Sequence, residues 1–479
     1  VKLNVIEVLS SDEMELIHQR SCDLLEQVGV LIDSEPARTL LIGHGGRPRA
    51  DHGAITIPPD LVERCLQTLP DKIPIYDREG NQAFVLGDGR SYCVSGHNAV
   101  FMLDDEQGER RDSTVRDVER FALVSQQMSE VDMVGVPLMP QDVTPQTTLL
   151  YAVDAIFRNS TRPVFFSSES EPVNRAVIEM GKAVMGKESL NVTPCLISQL
   201  STTSPLYWER GAVDALLLVA REGIPLDLLP QPIAGVTAPY TLAGILTLHN
   251  TEVLCGVVLS QLVNPGTPVI YGAAWNTYEM RRANVLIGRP ESSLLRIAGS
   301  QMAHFYSMPS HTTAPDNDAH VPDQQGAWEK TLSTVAALIG GNDMIVNLGM
   351  FGTGMSASLE QLVLDNEICR IVKRFARGIQ VDEDSIALDV MREVGPRGEY
   401  LTSFHTLHTL RSGEHQELVV SCGANYEGWV KDGRKNVYHT AADTVQAILE
   451  RGCAHSLPDE TAAELQRIIQ RTERNMGVR

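Results

Sequence analysis

The stretch Ser310–Asp323 places His311, His320, Asp316, Asp318 and Asp323 within one short segment. Imidazoles and carboxylates so close together can hold a metal ion or move protons. His311 and His320 stand nine residues apart on an irregular stretch, and no HxH or HExxH pair accompanies them. Metal spacing is therefore not met, and no metal is expected on this chain. Cys93 with His97 is a weak nucleophile–base pair, and a buried structural thiol is the simpler reading. Trp275, Tyr278 and Phe351 are conspicuous in a chain with only 5% aromatics. Aromatic faces stabilise a cation by about 0.5–2 kcal/mol each and suit quaternary ammonium. Lid packing is the plainer alternative for the same rings. Glu169, Asp316 or Asp318 could add a counter-charge, although any one of them could equally be a solvated loop carboxylate.

These residues need elements to position them. From about residue 91, short apolar runs alternate with longer segments of helical period. The expected strands are Ser91–Ser95, Val131–Met139, Pro163–Ser168, Pro194–Gln199, Pro225–Leu229, Pro268–Gly272, Met308–Thr312 and Met344–Leu348. Each precedes an expected helix: Thr114–Ser129, Pro145–Asn159, Val173–Met185, Tyr207–Glu222, Leu242–Leu262, Ser292–Tyr306, Gln324–Ile339 and Ser358–Arg377. Eight such units predict an α/β fold closed as a (β/α)8 TIM barrel. Ser91–Leu103 could instead turn back as a hairpin at Gly96-His97-Asn98. A doubly wound open sheet competes, but neither GxGxxG nor a Walker motif supports it.

Residues 1–90 read as a helical N-terminal cap. Ser11 is the expected cap of a first helix, and a second starts after Pro58-Pro59. Residues 91–378 form the barrel, and 379–479 a mostly helical C-terminal extension packed on it. Barrel chemistry sits where strands end. Those positions hold Ser95, Gly96, His97, Ser167, Ser168, Glu169, Gln199, Ser201, Trp275, Tyr278, His311, Asp316, His320 and Phe351. They are rich in uncharged hydrogen bonders and poor in Lys and Arg, which disfavours phosphate substrates.

Composition narrows the partners. Forty Lys and Arg against 61 Asp and Glu give a formal charge of -21, a poor match for nucleic acid. The eight cysteines are scattered, with no CxxC, which argues against iron–sulfur clusters and zinc ribbons. Val1–Ser10 lacks a basic run followed by an apolar one, so a reducing cytoplasm is expected. Apolar stretches such as Ala212–Ala220 are too short to span a bilayer, so no membrane partner is expected.

The run Gly349-Met350-Phe351-Gly352-Thr353-Gly354-Met355 leads into Ser358-Leu359-Glu360-Gln361-Leu362 and onward to Asn366-Glu367-Ile368. With Pro322-Asp323-Gln324-Gln325-Gly326-Ala327-Trp328-Glu329-Lys330 and Leu24–Val30, it resembles the trimethylamine methyltransferase family. The resemblance covers nearly the whole chain. It implies a barrel that moves a methyl group from a methylated amine to the cobalt of a corrinoid (cobalamin) carried by a separate small protein. The founding trimethylamine enzymes of that family carry pyrrolysine, at a position the resemblance places near His320. This chain has none. Members without it resemble quaternary-amine demethylases acting on glycine betaine or related betaines.

The expectation is therefore a methyltransferase taking a methyl from a quaternary amine. Trp275, Tyr278 and Phe351 would form the cage, with Glu169, Asp316 and Gln199 as further substrate contacts. His311 and His320 would bind the substrate carboxylate or orient the donor. The partners would be the cognate corrinoid protein and, as for many barrels, further copies of the chain. A non-catalytic betaine-binding barrel and a metal-dependent barrel hydrolase or lyase are the alternatives.

Overall fold

The computed structural model describes residues 6–104, 108–188 and 190–478; residues 1–5 of the expected cap lie outside them. Eight strands close on one another in chain order: β1 (Tyr92–Ser95), β2 (Val131–Gly135), β3 (Val164–Ser167), β4 (Leu196–Leu200), β5 (Leu226–Leu228), β6 (Val269–Ala273), β7 (Ser310–Thr313) and β8 (Met344–Leu348). Every neighbouring pair is parallel, including β8 with β1. The following helices are α1 (Val115–Gln127), α2 (Thr148–Asn159), α3 (Glu171–Met185), α4 (Arg210–Glu222), α5 (Leu242–Val263), α6 (Pro290–Phe305), α7 (Gln324–Ile339) and α8 (Leu359–Ala376). The expected (β/α)8 barrel is present, and Ser91–Leu103 is not a hairpin on itself. Phe101–Leu103 instead pairs with Ser356–Ala357 and Arg110–Asp112 in a four-stranded sheet at the rim, completed by Met350–Phe351. Tyr207–Trp208, expected at the head of α4, is a short strand paired with Leu31–Ile32.

The chain before the barrel is not purely helical. Ile73–Tyr76 and Gln82–Leu86 form an antiparallel hairpin. Its alternating apolar residues Ile73, Ile75, Phe84 and Leu86 join Val94, Met133, Phe165, Ile197, Ile270 and Met344 in one apolar cluster. The partners are inward side chains of six barrel strands, so the hairpin closes the N-terminal end of the barrel from below. Phe84 stacks on Tyr92 at the foot of β1, with ring centroids 4.6 Å apart.

The helix Ser11–Gln27 is capped by Ser10 rather than Ser11, whose neighbour Glu13 reaches back to complete a capping box. This helix and the helix Pro59–Leu66 lie on α5. That cover explains why α5 is apolar all round. At 22 residues it is long and apolar enough to cross a membrane, unlike Ala212–Ala220, yet 78% of its apolar window is buried inside the fold. At the other end of the chain, the helix Val437–Arg451 packs on α8 and α1, and Asp459–Met476 on α3 and α2.

Removing the largest side chain of the basal plug leaves a cavity the hairpin cannot collapse into. Phe84→Ala is expected to lower unfolding free energy by about 3–5 kcal/mol. Denaturant unfolding checks this; a loss below about 1 kcal/mol would show that the hairpin is not part of the barrel core.

Candidate active site

Strand periodicity carries the barrel interior upward from its apolar floor. Two residues beyond Phe165 and Ile197, on the same inward face, come Ser167 and Gln199. Two beyond Ile270 comes Gly272. Asp227 of β5 and His311 of β7 occupy the same level, and β6 runs between them. They nevertheless meet: His311 Nδ1 lies 2.8 Å from Asp227 Oδ2, with both side chains removed from water. Gly272 makes this possible, because a Cβ there would sit 2.3 Å from Asp227 Oδ1. Burial pushes the Asp227 carboxyl up, and His311 opposes that shift. The imidazole Nδ1–H donates to the carboxylate, which leaves His311 Nε2 and Asp227 Oδ1 without partners among the described residues.

A second group faces this pair. Gly96, at φ 57° and against Pro137, turns the chain after β1 so that His97 enters the mouth. His97 Nε2 lies 3.1 Å from Gln199 Oε1 and 2.9 Å from Ser167 Oγ. Asn98 Nδ2 donates to Ser167 Oγ at 2.6 Å, Ser167 donates to Gln199 Oε1, and Gln199 Nε2 donates to Ser201 Oγ at 2.6 Å. With the serine proton already given to Gln199, the network assigns the His97 proton to Nε2. The His97 Nδ1 lone pair is then unpartnered. Phe165 separates the two histidines, with its ring 5.0 Å from His97 and 5.5 Å from His311.

Two buried ion pairs fix the loops above. Arg296 reaches from α6 to Asp316 and donates from Nε to Thr313 O at 2.7 Å. Asp316 also accepts from Asn347 Nδ2 at 2.9 Å. Asn347 has φ 118° where the β8 register shifts, a strained conformation for a residue with a side chain. Lys330 of α7 pairs with Asp365 of α8 at 2.9 Å, and Asp365 accepts the Gly349 N–H at 2.8 Å.

The structure sorts the expected site residues. His311 and Gln199 stand in the polar layer. Glu169, just past β3, is half-buried, and its carboxylate makes no hydrogen bond or ion pair with any described residue; burial alone pushes it up. Asp316 is not a free counter-charge, because Arg296 neutralises it. Asp318 accepts the Ile287 and Gly288 N–H groups at 2.8 and 2.9 Å, which ties it to the loop after β6. Trp275 is 1% exposed and packs on His249, with ring centroids 4.5 Å apart. Phe351 lies in the rim sheet against Leu103 and Ala319. Tyr278 sits half-buried in the hairpin Thr277–Glu279/Asn284–Leu286. The three rings therefore do not converge as a cage: Trp275 belongs to the core between α5 and α6, and no ring contact joins it to the others among the described residues. His320 is exposed on the rim beside Gly352, away from His311. The two histidines share no metal site. Among the described residues, the metal-like group is His18, Cys22 and Glu63, outside the mouth.

Asp227, Asn347 and Arg296 escaped the sequence reading. Asp227 is the one charged residue inside the apolar run Pro225–Leu229, and that signal was readable. Arg296 comes from a helix, so a search restricted to strand ends passes over it.

Sealed below and polar above, this is a barrel enzyme whose working end is the C-terminal mouth. The sequence profile described as trimethylamine methyltransferase (MTTB) matches residues 1–477, and the chain belongs to that family. It is 31% identical to the trimethylamine methyltransferase MttB of Desulfitobacterium hafniense (strain DSM 10664 / DCB-2), over 98% of this chain and 94% of that one. It is 29% identical to the glycine betaine methyltransferase of Desulfitobacterium hafniense (strain Y51), over 98% of both. In structure it is similar to the Methanosarcina barkeri monomethylamine methyltransferase, with TM-score 0.54, 11% identity, and 92% and 88% of the two chains covered. That last likeness concerns the fold alone.

Burial holds the His97 imidazole down to about 4 from 6.5. An unfolded chain takes up this proton near pH 6.5, whereas the native one waits until about 4. Support from His97 is thus complete above 6.5 and is lost as pH falls through that window. Histidine NMR is expected to show the His97 ring still neutral at pH 5.5, alongside that of His249, which burial holds down to about 3, and His97→Gln assigns it by removing its signal. A His97 midpoint near 6.5 would contradict the buried neutral ring.

Proposed function

We propose that the chain transfers one methyl group from a quaternary ammonium compound of the betaine type to the cobalt of a corrinoid carried by a partner protein. The observation that carries this reading is the Glu169 carboxylate, half-buried and without a partner among the described residues, two positions beyond Ser167 of the hydrogen-bonding layer. The buried cations nearby, Arg296 and Lys330, are already matched to Asp316 and Asp365. The site's unspent charge is negative, which suits a cationic donor. Relatives along the whole chain include a glycine betaine methyltransferase, and pyrrolysine is absent from the sequence.

The corrinoid supplies a nucleophilic cobalt that accepts the methyl group. This chain's task is to hold the donor in line and exclude water. A quaternary nitrogen leaves as a neutral amine, so no proton need be delivered to it. Positive charge on the donor disperses during transfer. A carboxylate in contact with nitrogen would favour the ground state more than the transition state. Glu169 at the edge, rather than within the polar layer, meets that requirement. Asp227 fixes the His311 ring through Nδ1–H, and the Nε2 lone pair left free is an acceptor suited to the polarised N-methyl groups of the donor. His97, Ser167 and Gln199 form one connected network that holds its shape without the substrate. Tyr278 and the exposed Tyr240, Met280 and Met355 lie on the loops after β5, β6 and β8. These rim groups, with His320, give a docking corrinoid domain an apolar surface to meet. The reading fits the residues present, since the mouth has polar groups to bind a small donor and an accessible rim.

Incubating the purified chain with glycine betaine and reduced cobalamin is expected to yield methylcobalamin and dimethylglycine in equal amounts. Turnover of trimethylamine with none of glycine betaine, carnitine or proline betaine would overturn the substrate class. Glu169→Gln should raise the KM for the betaine about 10-fold with a smaller change in kcat, since an exposed-edge charge contributes on the order of 1 kcal/mol. Gly272→Ala forces a methyl against Asp227 and should lower kcat about 100-fold in a chain that still folds. Unchanged kcat in that variant would show that the Asp227–His311 pair is not part of the site.

A further inference from the structure

Among the described residues, one group outside the mouth has the makings of a metal site: His18, Cys22 and Glu63, whose ligand atoms all lie within 4.8 Å of one another. His18 and Cys22 stand one turn apart on the helix Ser11–Gln27 and so share a face. Glu63 comes from Pro59–Leu66, which packs beside that helix. His18 Nε2 lies 2.9 Å from Glu63 Oε1 and 3.8 Å from Cys22 Sγ. Ligand atoms around a tetrahedral zinc ion bound by nitrogen, oxygen and sulfur are about 3.3–3.6 Å apart. Both edges on His18 are close to that spacing, so small side-chain shifts complete the geometry.

The imidazole is aimed by the core. Its Nδ1 lies 3.0 Å from the Tyr306 hydroxyl at the end of α6, and Asn250 Nδ2 of α5 donates to the same oxygen at 2.9 Å. A ligating histidine is characteristically held in this way through its other nitrogen. Nε2 is thereby turned to the thiol and the carboxylate. Cys22 is buried and the His18 side chain only 13% exposed, whereas that of Glu63 is 52% exposed. Sulfur and nitrogen form a sheltered wall, and the carboxylate side gives an ion its way in and a water its place. Charge favours a cation there, since Glu63, Asp23, Glu15 and Glu26 all act on the thiol, and Arg20 of the same helix is paired with Asp23 at 2.6 Å.

We propose that His18 Nε2, Cys22 Sγ and a Glu63 carboxylate oxygen bind one divalent ion of the zinc type, with water as fourth ligand. Thiolate and imidazole select such an ion over magnesium or calcium, which prefer oxygen. Binding releases the thiol proton to water and leaves the imidazole proton on Nδ1, facing Tyr306. The ion clips together the two N-terminal helices that lie on α5, so its part is structural and separate from methyl transfer. Sequence spacing hides the site, because 41 residues separate Cys22 from Glu63 and no short motif spans them.

The full chain, stripped by a chelator and titrated with Co(II), is expected to take up one ion with a thiolate-to-cobalt charge-transfer band, which Zn(II) then removes. Cys22→Ser should abolish the band. Glu63→Gln, at an exposed position, and Tyr306→Phe, which removes the support of the ring, should each weaken Co(II) binding at least about 10-fold. Absence of the band in the wild type overturns the proposal. So does an undiminished band in folded Cys22→Ser, which would place the ion on an exposed thiol, Cys422 or Cys453. Should Cys22→Ser fail to fold, unchanged affinity in Glu63→Gln overturns the proposal and leaves His18 and Glu63 as a hydrogen-bonded pair only.

Discussion

Two ion pairs removed from water, Arg296–Asp316 and Lys330–Asp365, hold the loops that leave β7 and β8. Each pair costs desolvation that attraction alone barely repays. What each gains is the set of backbone groups gathered around it. Arg296 also holds Thr313 O and Ile287 O, Lys330 holds Pro315 O, and Asp365 holds the Gly349 N–H. The loops after β6, β7 and β8 are thereby locked to one another without a hydrophobic core of their own. Matching both buried cations with carboxylates also sets the charge of the mouth. The polar layer beneath holds imidazoles, amides, hydroxyls and the Asp227 carboxylate, which His311 engages, and Glu169 remains as the carboxylate without a partner among the described residues.

Closure of the barrel was legible because the strands are buried on both faces and read as apolar runs between helices. The strand order followed from eight consecutive units. The rim sheet and the basal hairpin were not legible, since both depend on segments far apart in sequence. Phe101–Leu103 finds its partner at Ser356–Ala357, and Ile75 finds its cover inside a barrel that begins later in the chain. The aromatic cage failed for a similar reason. Trp275 follows β6, as a mouth residue should, but Gly299 on α6 leaves room for its ring, and His249 on α5 receives its face. Position after a strand says that a side chain is near the mouth, not which way it turns.

The site lies in polar residues at inward positions of otherwise apolar strands. Asp227 and Gln199 occupy places where Leu or Ile would be expected, and His311 shares their level. A buried polar residue costs free energy unless it is paired, so its presence in a strand core is informative. Pairing Asp227 with His311 across β6 required a third, silent residue. Gly272 contributes no atom to the contact and yet decides it, and no inspection of reactive side chains would single it out.

The two ends of the barrel answer to different demands. Below, the hairpin fills the interior with Phe84, Ile75 and Leu86, so the floor under the polar layer is rigid and dry. Above, on the proposed function, the layer accepts a cation and releases a neutral amine. A charge held at the edge and a neutral floor meet both conditions, since neither grips the product as tightly as the donor. A tertiary amine would reverse that balance. Its departing group needs a proton or an electrophile at the nitrogen, and the exposed His320 at the rim is poorly placed to supply either. On the proposed function, the preference for a permanent cation rests on the unpaired Glu169 after β3, while the packing of β5, β6 and β7 fixes the Asp227–His311 pair in the layer beneath it.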